Sequence, residues 1–546
     1  MPVTSRVLIV GGGPAGLVIA IELGRRGVPC VVFDAGKEAP KFPKANSTTS
    51  RTMEHYRRLG LSAEIRDLGL PHDHAPDISY HTHYADFELA RRRWPSWNEI
   101  AANPRPADPR WPTPEPMHRG QQTRVEGALR REVARHAAID ARFGWKVESV
   151  SETVDGVSCV ARPVDGGDPV TFTGDYMVGA DAARSVVRQY LDIDYEGVGA
   201  EDREFLGGRM LATWLRMPAF YDVVTCDRSW QYWAMNPQRF GALITIDGKG
   251  EFVLHTQLPK GVTGDLAFAR AAVEITVGRE FDYEILGTAE WMAGFMLVAK
   301  RYGSKRMFLA GDAAHLFTPA AGLGYNTSVD DASNLGWKLA AACLGWGGPD
   351  LLASYEIERK PIAHRNTSFA RGIADYFKTI RMPPALEQHG PEGEAARAEF
   401  AVWLNEVGER EFDAPGIHFG VFYDGSPIVA QEPGPRPPDD PHWYVPHAQP
   451  GARAPHAWIC DRLALFDRFG RDFTLLKLDA NANTRALENA AKARGIPLDV
   501  VAIDDAAVRR LYGAGLALIR PDQHIAWRGD VAPVDADALI GKCAGF

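Results

Sequence analysis

The chain has 546 residues, of which 45% are hydrophobic and 24% charged, with a formal net charge of −9. That length allows two to four domains, and the acidic balance argues against a nucleic-acid partner, which would need a basic face. Six scattered cysteines with no CxxC argue against a disulfide framework or a metal site. No uncharged apolar run reaches the ~18 residues of a membrane span, so a cytoplasmic protein without a membrane partner is expected.

In chain order, "VLIVGGGPAGLVIAIEL" at positions 7–23 reads as a strand, a tight turn and a helix. A second strand follows at 29–34 and a helix at 50–59. Residues 94–118 are rich in Pro and Trp without a period and read as an irregular loop. A helix is predicted near 124–137 and a strand meander over 144–178. Period-2 segments within 205–258 predict an aromatic-rich sheet with one packed face and one face free to line a cavity. A short strand at 306–311 leads into a helix, more helix runs over 351–380, and the proline-rich stretch 427–455 reads as an extended linker.

Two motifs carry chemistry. The first is Gly11-x-Gly13-x-x-Gly16, with Pro14 and Ala15 opening the helix. Gly11 suits the tight turn, Gly13 the approach of a pyrophosphate, and Gly16 close helix–strand packing. The pyrophosphate would sit on the helix N-terminus, where free N–H groups favour negative charge. Asp34 ends the next strand about twenty residues on, placed for ribose hydroxyls. These residues predict bound FAD or NAD. The second motif decides for FAD. Gly311-Asp312 closes a strand, with Asp312 suited to the hydroxyls of a polyol chain, and Gly322-Leu323-Gly324-Tyr325-Asn326 lies just before a helix. A helix N-terminus aimed at a flavin ring would stabilise the negative charge of its reduced form.

These residues resemble the class A flavin-dependent aromatic hydroxylases, the para-hydroxybenzoate and phenol hydroxylase group, over roughly residues 5–380. The resemblance implies that Asp312 meets the flavin ribitol, that Pro319 lies beside the reactive flavin edge, and that Arg51 and Gln122 contact FAD. It also implies that Asp181 holds the acidic position of a motif touching FAD and incoming nicotinamide. Two positions depart from the family pattern: Ala182 follows Asp181, and Ala321 stands where a glycine is usual, a tolerable change unless that residue needs a positive φ. Residues 456–546 resemble the thioredoxin-like tail of longer members but lack CxxC.

The implied fold is α/β and α+β multidomain. A Rossmann-like FAD-binding domain (1–72, 119–190, 300–345) interleaves with a β-sheet substrate domain (73–118, 191–299). A helical segment (346–426), the linker (427–455) and the thioredoxin-like domain (456–546) follow. The implied activity is hydroxylation of a small aromatic, phenolic substrate through a flavin C4a-hydroperoxide, with resident FAD, transient NAD(P)H and O2. The alternative is a flavin oxidoreductase acting without oxygen insertion. A homodimer is compatible with either. His255, Tyr232 and Asn46 are the polar candidates for handling the phenolic proton, each also readable as an ordinary sheet or loop residue. His315 reads as structural, Asp330 and Asp331 as helix N-terminal residues suited to the dipole, and Arg216 or Arg239 as an arginine for a substrate carboxylate.

Overall fold

The computed structural model describes residues 3–105, 108–199, 208–224, 226–460 and 462–546. Residues 205–207, at the start of the predicted aromatic sheet, lie outside them.

Val7–Val10 is the middle of five parallel strands, in the order Met307–Leu309, Tyr176–Gly179, Val7–Val10, Cys30–Asp34, Ile139–Phe143. All four of its residues are apolar and buried. That is the composition a parallel strand needs when both faces are covered. One face carries the helix Pro14–Gly24, itself buried under the long helix Leu323–Leu344. Helix meets helix closely at Gly336, where a Cβ would stand 2.7 Å from Cβ of Glu22. The other face is covered by a four-stranded sheet that packs Phe172 edge-on to Phe33 at 4.8 Å.

The second large sheet has seven strands, in the order Glu284–Ala293, Gly208–Arg216, Glu251–Gln257, Arg239–Thr245, Gln231–Asn236, Ile78–His81, Glu88–Arg92. Strand alternation divides its residues between two cores. Tyr232, Leu243 and Leu254 pack with Val273 of the helix Leu266–Val277. Trp233, Ala242, Ile244 and Val253 face the opposite way, towards Phe377 of the helix Pro349–Phe377 and Phe412 of the helix Pro391–Phe412. Within the segment predicted to be irregular, Trp97–Ala102 forms a short helix. The reason is a capping box: Ser96 accepts from the N–H of Glu99, whose carboxylate accepts from the N–H of Ser96.

The C-terminal unit is a β-α-β-α-β-β-α arrangement whose strands order as Leu498–Ala502, Phe473–Lys477, Leu516–Ile519, Ile525–Gly529. It is fastened to the body by buried ion pairs. Arg453 forks onto Glu54 (2.5 and 2.9 Å), and Arg520 forks onto Glu358 (2.6 and 2.8 Å), which also accepts from Lys338 at 2.6 Å. Residues 427–455 contain no helix, yet Ile428, Val429, Ala452 and Arg453 are buried, so the stretch is a packed strap rather than a free linker. Truncating one partner of a buried pair strands the other's charge, at a cost of ~3–5 kcal/mol. Glu54→Ala is therefore expected to lower the melting temperature in calorimetry more than the double variant Glu54→Leu/Arg453→Met. Equal losses would show that the pair does not fasten the unit.

Candidate functional site

One cavity of about 1240 Å³ runs from the glycine turn, between the two large sheets, to the tryptophan-rich face of the seven-stranded sheet. At its first end Gly11 has φ 112°, and a Cβ there would overlap the carbonyl of Ala180. A Cβ on Gly16 would likewise overlap the carbonyl oxygen of Gly11, so only glycine lets helix and turn meet. Gly13 differs: no atom lies within 4 Å of the position its Cβ would take. It caps the helix Pro14–Gly24 without any side-chain hydrogen bond. The helix N-terminus therefore presents unpaired N–H groups to open space, the feature an anion needs. Asp34 stands at the lip, its two carboxylate oxygens accepting from the N–H groups of Gly12 (2.9 Å) and Gly36 (2.6 Å).

Midway, Gly311 (φ 62°) turns the chain so that Asp312 reaches the cavity. Its carboxylate is exposed to the cavity and has no hydrogen-bond partner among the described residues, and desolvation by the surrounding walls pushes its pKa up against the pull of His315 and Lys44. Asp181 is also at the wall: Oδ2 accepts from the N–H of Val186 at 2.7 Å, while the buried Oδ1 has no partner. Gln122 donates to Glu126 at 2.7 Å beside it. Pro14, Ala15, Asn46, Pro319, Gly322, Leu323, Gly324 and Tyr325 line the same space. Both departures from the family glycines fall at left-handed positions, Ala182 at φ 63° and Ala321 at φ 54°. Each costs ~1–2 kcal/mol of backbone energy, so the condition attached to Ala321 is met and the chain carries the strain. A turn that rejects a Cβ at Gly11 and Gly16, an open helix N-terminus at Gly13, and partnerless carboxylate oxygens on Asp181 and Asp312 along one slot fit FAD.

At the far end the wall is aromatic. Trp230, Trp233, Trp291 and Phe412 line it, with His255 on the strand Glu251–Gln257 as a polar group among them. His255 lies edge-on to Trp291 at 5.7 Å, and its Nδ1 has no partner. Burial pushes its pKa down to about 4, so it is neutral near pH 7.

Several expected residues stand elsewhere. Tyr232 is fully buried on the other face of the sheet, its hydroxyl accepting from the N–H of Ser229 at 2.7 Å, because strand alternation turns Gln231 and Trp233 inward instead. Arg51 is not at the cavity wall. Its guanidinium donates to Glu54 (2.9 Å), to the Gln523 side chain (3.0 Å) and to the carbonyl of Asp522 (2.6 Å), so it serves the C-terminal interface. The Asn326 side chain accepts from the N–H of Thr49 (2.8 Å) and donates to the carbonyls of Ser47 (2.9 Å) and Gly322 (2.6 Å), locking the loop from behind. Asp330 and Asp331 lie inside the helix Leu323–Leu344, not at its start. Asp331 bonds His315 (2.7 Å) and Arg359 (2.8 Å), and Asp330 bonds His55 at 2.8 Å. Arg216 pairs with Glu284 at 2.6 Å on an exposed edge and Arg239 stacks on Phe268, so neither waits for a carboxylate in the cavity.

Sequence reasoning missed two groups at the aromatic end. Glu411 lines it from the helix Pro391–Phe412, and Arg119 lies buried against Trp230, its guanidinium carbon 3.8 Å from the ring centroid. Neither belongs to a motif. Away from the cavity, His81, Glu88 and Cys226 bring ligand atoms within 4.8 Å of one another. Glu88, however, accepts from Arg91 twice at 2.8 Å, and His81 is hydrogen-bonded to Ser79.

The FAD binding domain family matches residues 4–370, and the aromatic-ring hydroxylase C-terminal family matches 447–543. The chain is 29% identical to the FAD-dependent monooxygenase apdD of Emericella nidulans, over 99% of this chain and 90% of that protein. It is 29% identical to a phenol 2-monooxygenase of a Pseudomonas species, over 99% and 93%. Among solved structures, the rebeccamycin biosynthetic enzyme RebC with reduced flavin superposes with a TM-score of 0.88 at 32% identity, covering 100% of both chains.

The two helix glycines separate binding from folding. Gly13→Ala is expected to fold like the parent but to bind FAD about tenfold more weakly, a loss of ~1.4 kcal/mol. Gly16→Ala is expected to lower thermal stability even without flavin. Flavin titration and melting of both apoproteins check this, and the opposite pattern would contradict the assigned roles.

Proposed function

The chain belongs to the FAD binding domain family and carries an aromatic-ring hydroxylase C-terminal domain, and from that we propose an FAD-dependent monooxygenase that hydroxylates a bulky, neutral phenol using NAD(P)H and O2. One observation carries the substrate reading: the slot fit for FAD opens without a break onto a chamber walled by Trp230, Trp233, Trp291 and Phe412. When bound, FAD supplies hydride uptake from the nicotinamide and activation of O2 for transfer of one oxygen atom to an electron-rich ring.

The chain's own residues bind, orient and exclude water. The N-terminus of the helix Pro14–Gly24 takes the pyrophosphate, Asp34 the ribose and Asp312 the ribitol, while the start of the helix Leu323–Leu344 meets the flavin ring. The aromatic walls grip a flat ring system by face and edge. No Lys or Arg of the described seven-stranded sheet lines the chamber, and the nearby Arg119 lies behind Trp230 and donates to the Ser47 hydroxyl, so a substrate carboxylate would find no counter-charge on that face. This supports a neutral polycyclic phenol over a small aromatic acid. Neutral His255 serves as a hydrogen-bonding partner for a hydroxyl or carbonyl. The strand order of the C-terminal unit supports a thioredoxin-like layer. Its one described exposed thiol, Cys460, has no disulfide partner, so a packing role suits it better than a redox one.

With purified holoenzyme, NAD(P)H consumption is expected to rise on adding multi-ring phenols such as 1-naphthol, with one atom of isotopically labelled O2 entering the product. Product free of label would overturn the monooxygenase reading in favour of an oxidoreductase without oxygen insertion. His255→Leu is expected to raise KM by roughly fivefold to tenfold, as for loss of one hydrogen bond of ~1 kcal/mol. The shape of the pH profile near neutrality should not change, because His255 is already deprotonated there.

A further inference from the structure

The aromatic chamber contains one carboxyl group that the cofactor slot does not use. Glu411 stands one residue before the end of the helix Pro391–Phe412, next to Phe412, and is only 8% exposed. Its Oε1 accepts from the backbone N–H of Ala321 at 3.0 Å, in the strained turn between Pro319 and Gly322. Its Oε2 is buried and has no partner among the described residues. A buried carboxyl with one oxygen fixed and the other idle costs stability unless something else meets it.

Arg119 and Tyr80 are the titratable neighbours that act on it, and Arg92 lies beyond, beside Tyr80. From the strand His118–Arg119, Arg119 lies on Trp230 and donates to the Ser47 hydroxyl, which leaves Glu411 without a direct ion pair. From the strand Ile78–His81, the buried Tyr80 hydroxyl also lacks a partner. From the neighbouring strand Glu88–Arg92, Arg92 is taken up by Asp413 at 2.7 Å. Burial pushes the Glu411 pKa up to about 7, opposed by the Ala321 N–H and by Arg119. At neutral pH the group is therefore shared between acid and carboxylate, the condition in which a general base works best.

Resting on the function proposed above, we infer that Glu411 is the catalytic residue that receives the phenolic proton of the substrate. The phenol is held with its hydroxyl at Oε2 and its ring between the tryptophans and the flavin edge. As the ring becomes nucleophilic, the phenolic O–H bond breaks and its electron pair stays on the phenolic oxygen. Glu411 Oε2 gains the proton and gives it back to the same phenolic oxygen once the ring has regained its aromaticity, so the product leaves as a neutral phenol and the base is restored. Fixing Oε1 on Ala321 ties the base to the loop that meets the flavin.

The test is binding of 1-naphthol to the FAD-loaded protein across the pH range spanning the Glu411 transition, for wild type and Glu411→Gln, alongside turnover. A carboxylate acceptor makes the stronger, charge-assisted hydrogen bond. Wild type should therefore bind about tenfold more tightly above the transition than below it, a difference of ~1.4 kcal/mol. Glu411→Gln should lose that step and stay at the weaker level, with kcat down at least about 100-fold and its rising limb near pH 7 gone. Glu411→Asp, which keeps the carboxyl should the amide disturb folding, should keep the step at reduced affinity. A pH step that persists in Glu411→Gln, or that wild type lacks, overturns the inference. An active wild type with either result leaves the monooxygenase reading standing, whereas unlabelled product strikes that reading instead.

Discussion

The structure depends on how closely two backbones approach at the end of the strand Val7–Val10. Gly11 must pass against the carbonyl of Ala180 and Gly16 against that of Gly11, and a methyl group at either would overlap the carbonyl it faces. That contact draws the helix Pro14–Gly24 down onto the sheet and leaves its first N–H groups facing the open space at Gly13. An anion held there fixes one end of a long cofactor. From there the cavity continues past Asp312 and the turn at Pro319–Gly322 to the second sheet, the path proposed for the flavin end.

The strain in this layout is local and paid for in packing. Ala182 and Ala321 sit in a region of φ that disfavours side chains, and both line the cavity. Neighbouring contacts hold them in place: the Ala182 carbonyl accepts from the Ser185 N–H, the Ala321 N–H donates to Glu411, and Asn326 pins Gly322 to the Ser47–Thr49 segment. Behind the site, the pairs Arg453–Glu54 and Arg520–Glu358 fasten the C-terminal unit onto the helices Ser50–Arg58 and Pro349–Phe377. That unit supports the site from outside, and Arg51 belongs to the same interface.

Local chain geometry made the cofactor end readable from sequence. A turn between strand and helix needs glycine at set spacings, and Gly311-Asp312 and Gly322 also announce themselves by neighbours close in the chain. The aromatic end depends on contacts between distant segments. Glu411 bonds Ala321 ninety residues away, and nothing in the helix around it distinguishes it from the other acids there. Tyr232 and Trp233 differ only in strand parity, and the sequence did not say which face the second core would take. The family resemblance implied an FAD contact for Arg51, and the two acceptors that draw it elsewhere lie in the C-terminal unit, 471 and 472 residues along the chain.

The central claim is that the flavin ring borders the tryptophan chamber. The most direct test is the visible difference spectrum of bound FAD when 1-naphthol is added to oxidised holoenzyme in the absence of NAD(P)H. The account predicts a yellow protein that retains flavin in one-to-one ratio and a saturable shift of the flavin bands, abolished by a tryptophan-wall variant such as Trp233→Ala. A protein that takes up no flavin, or a flavin spectrum indifferent to saturating phenol, would contradict it.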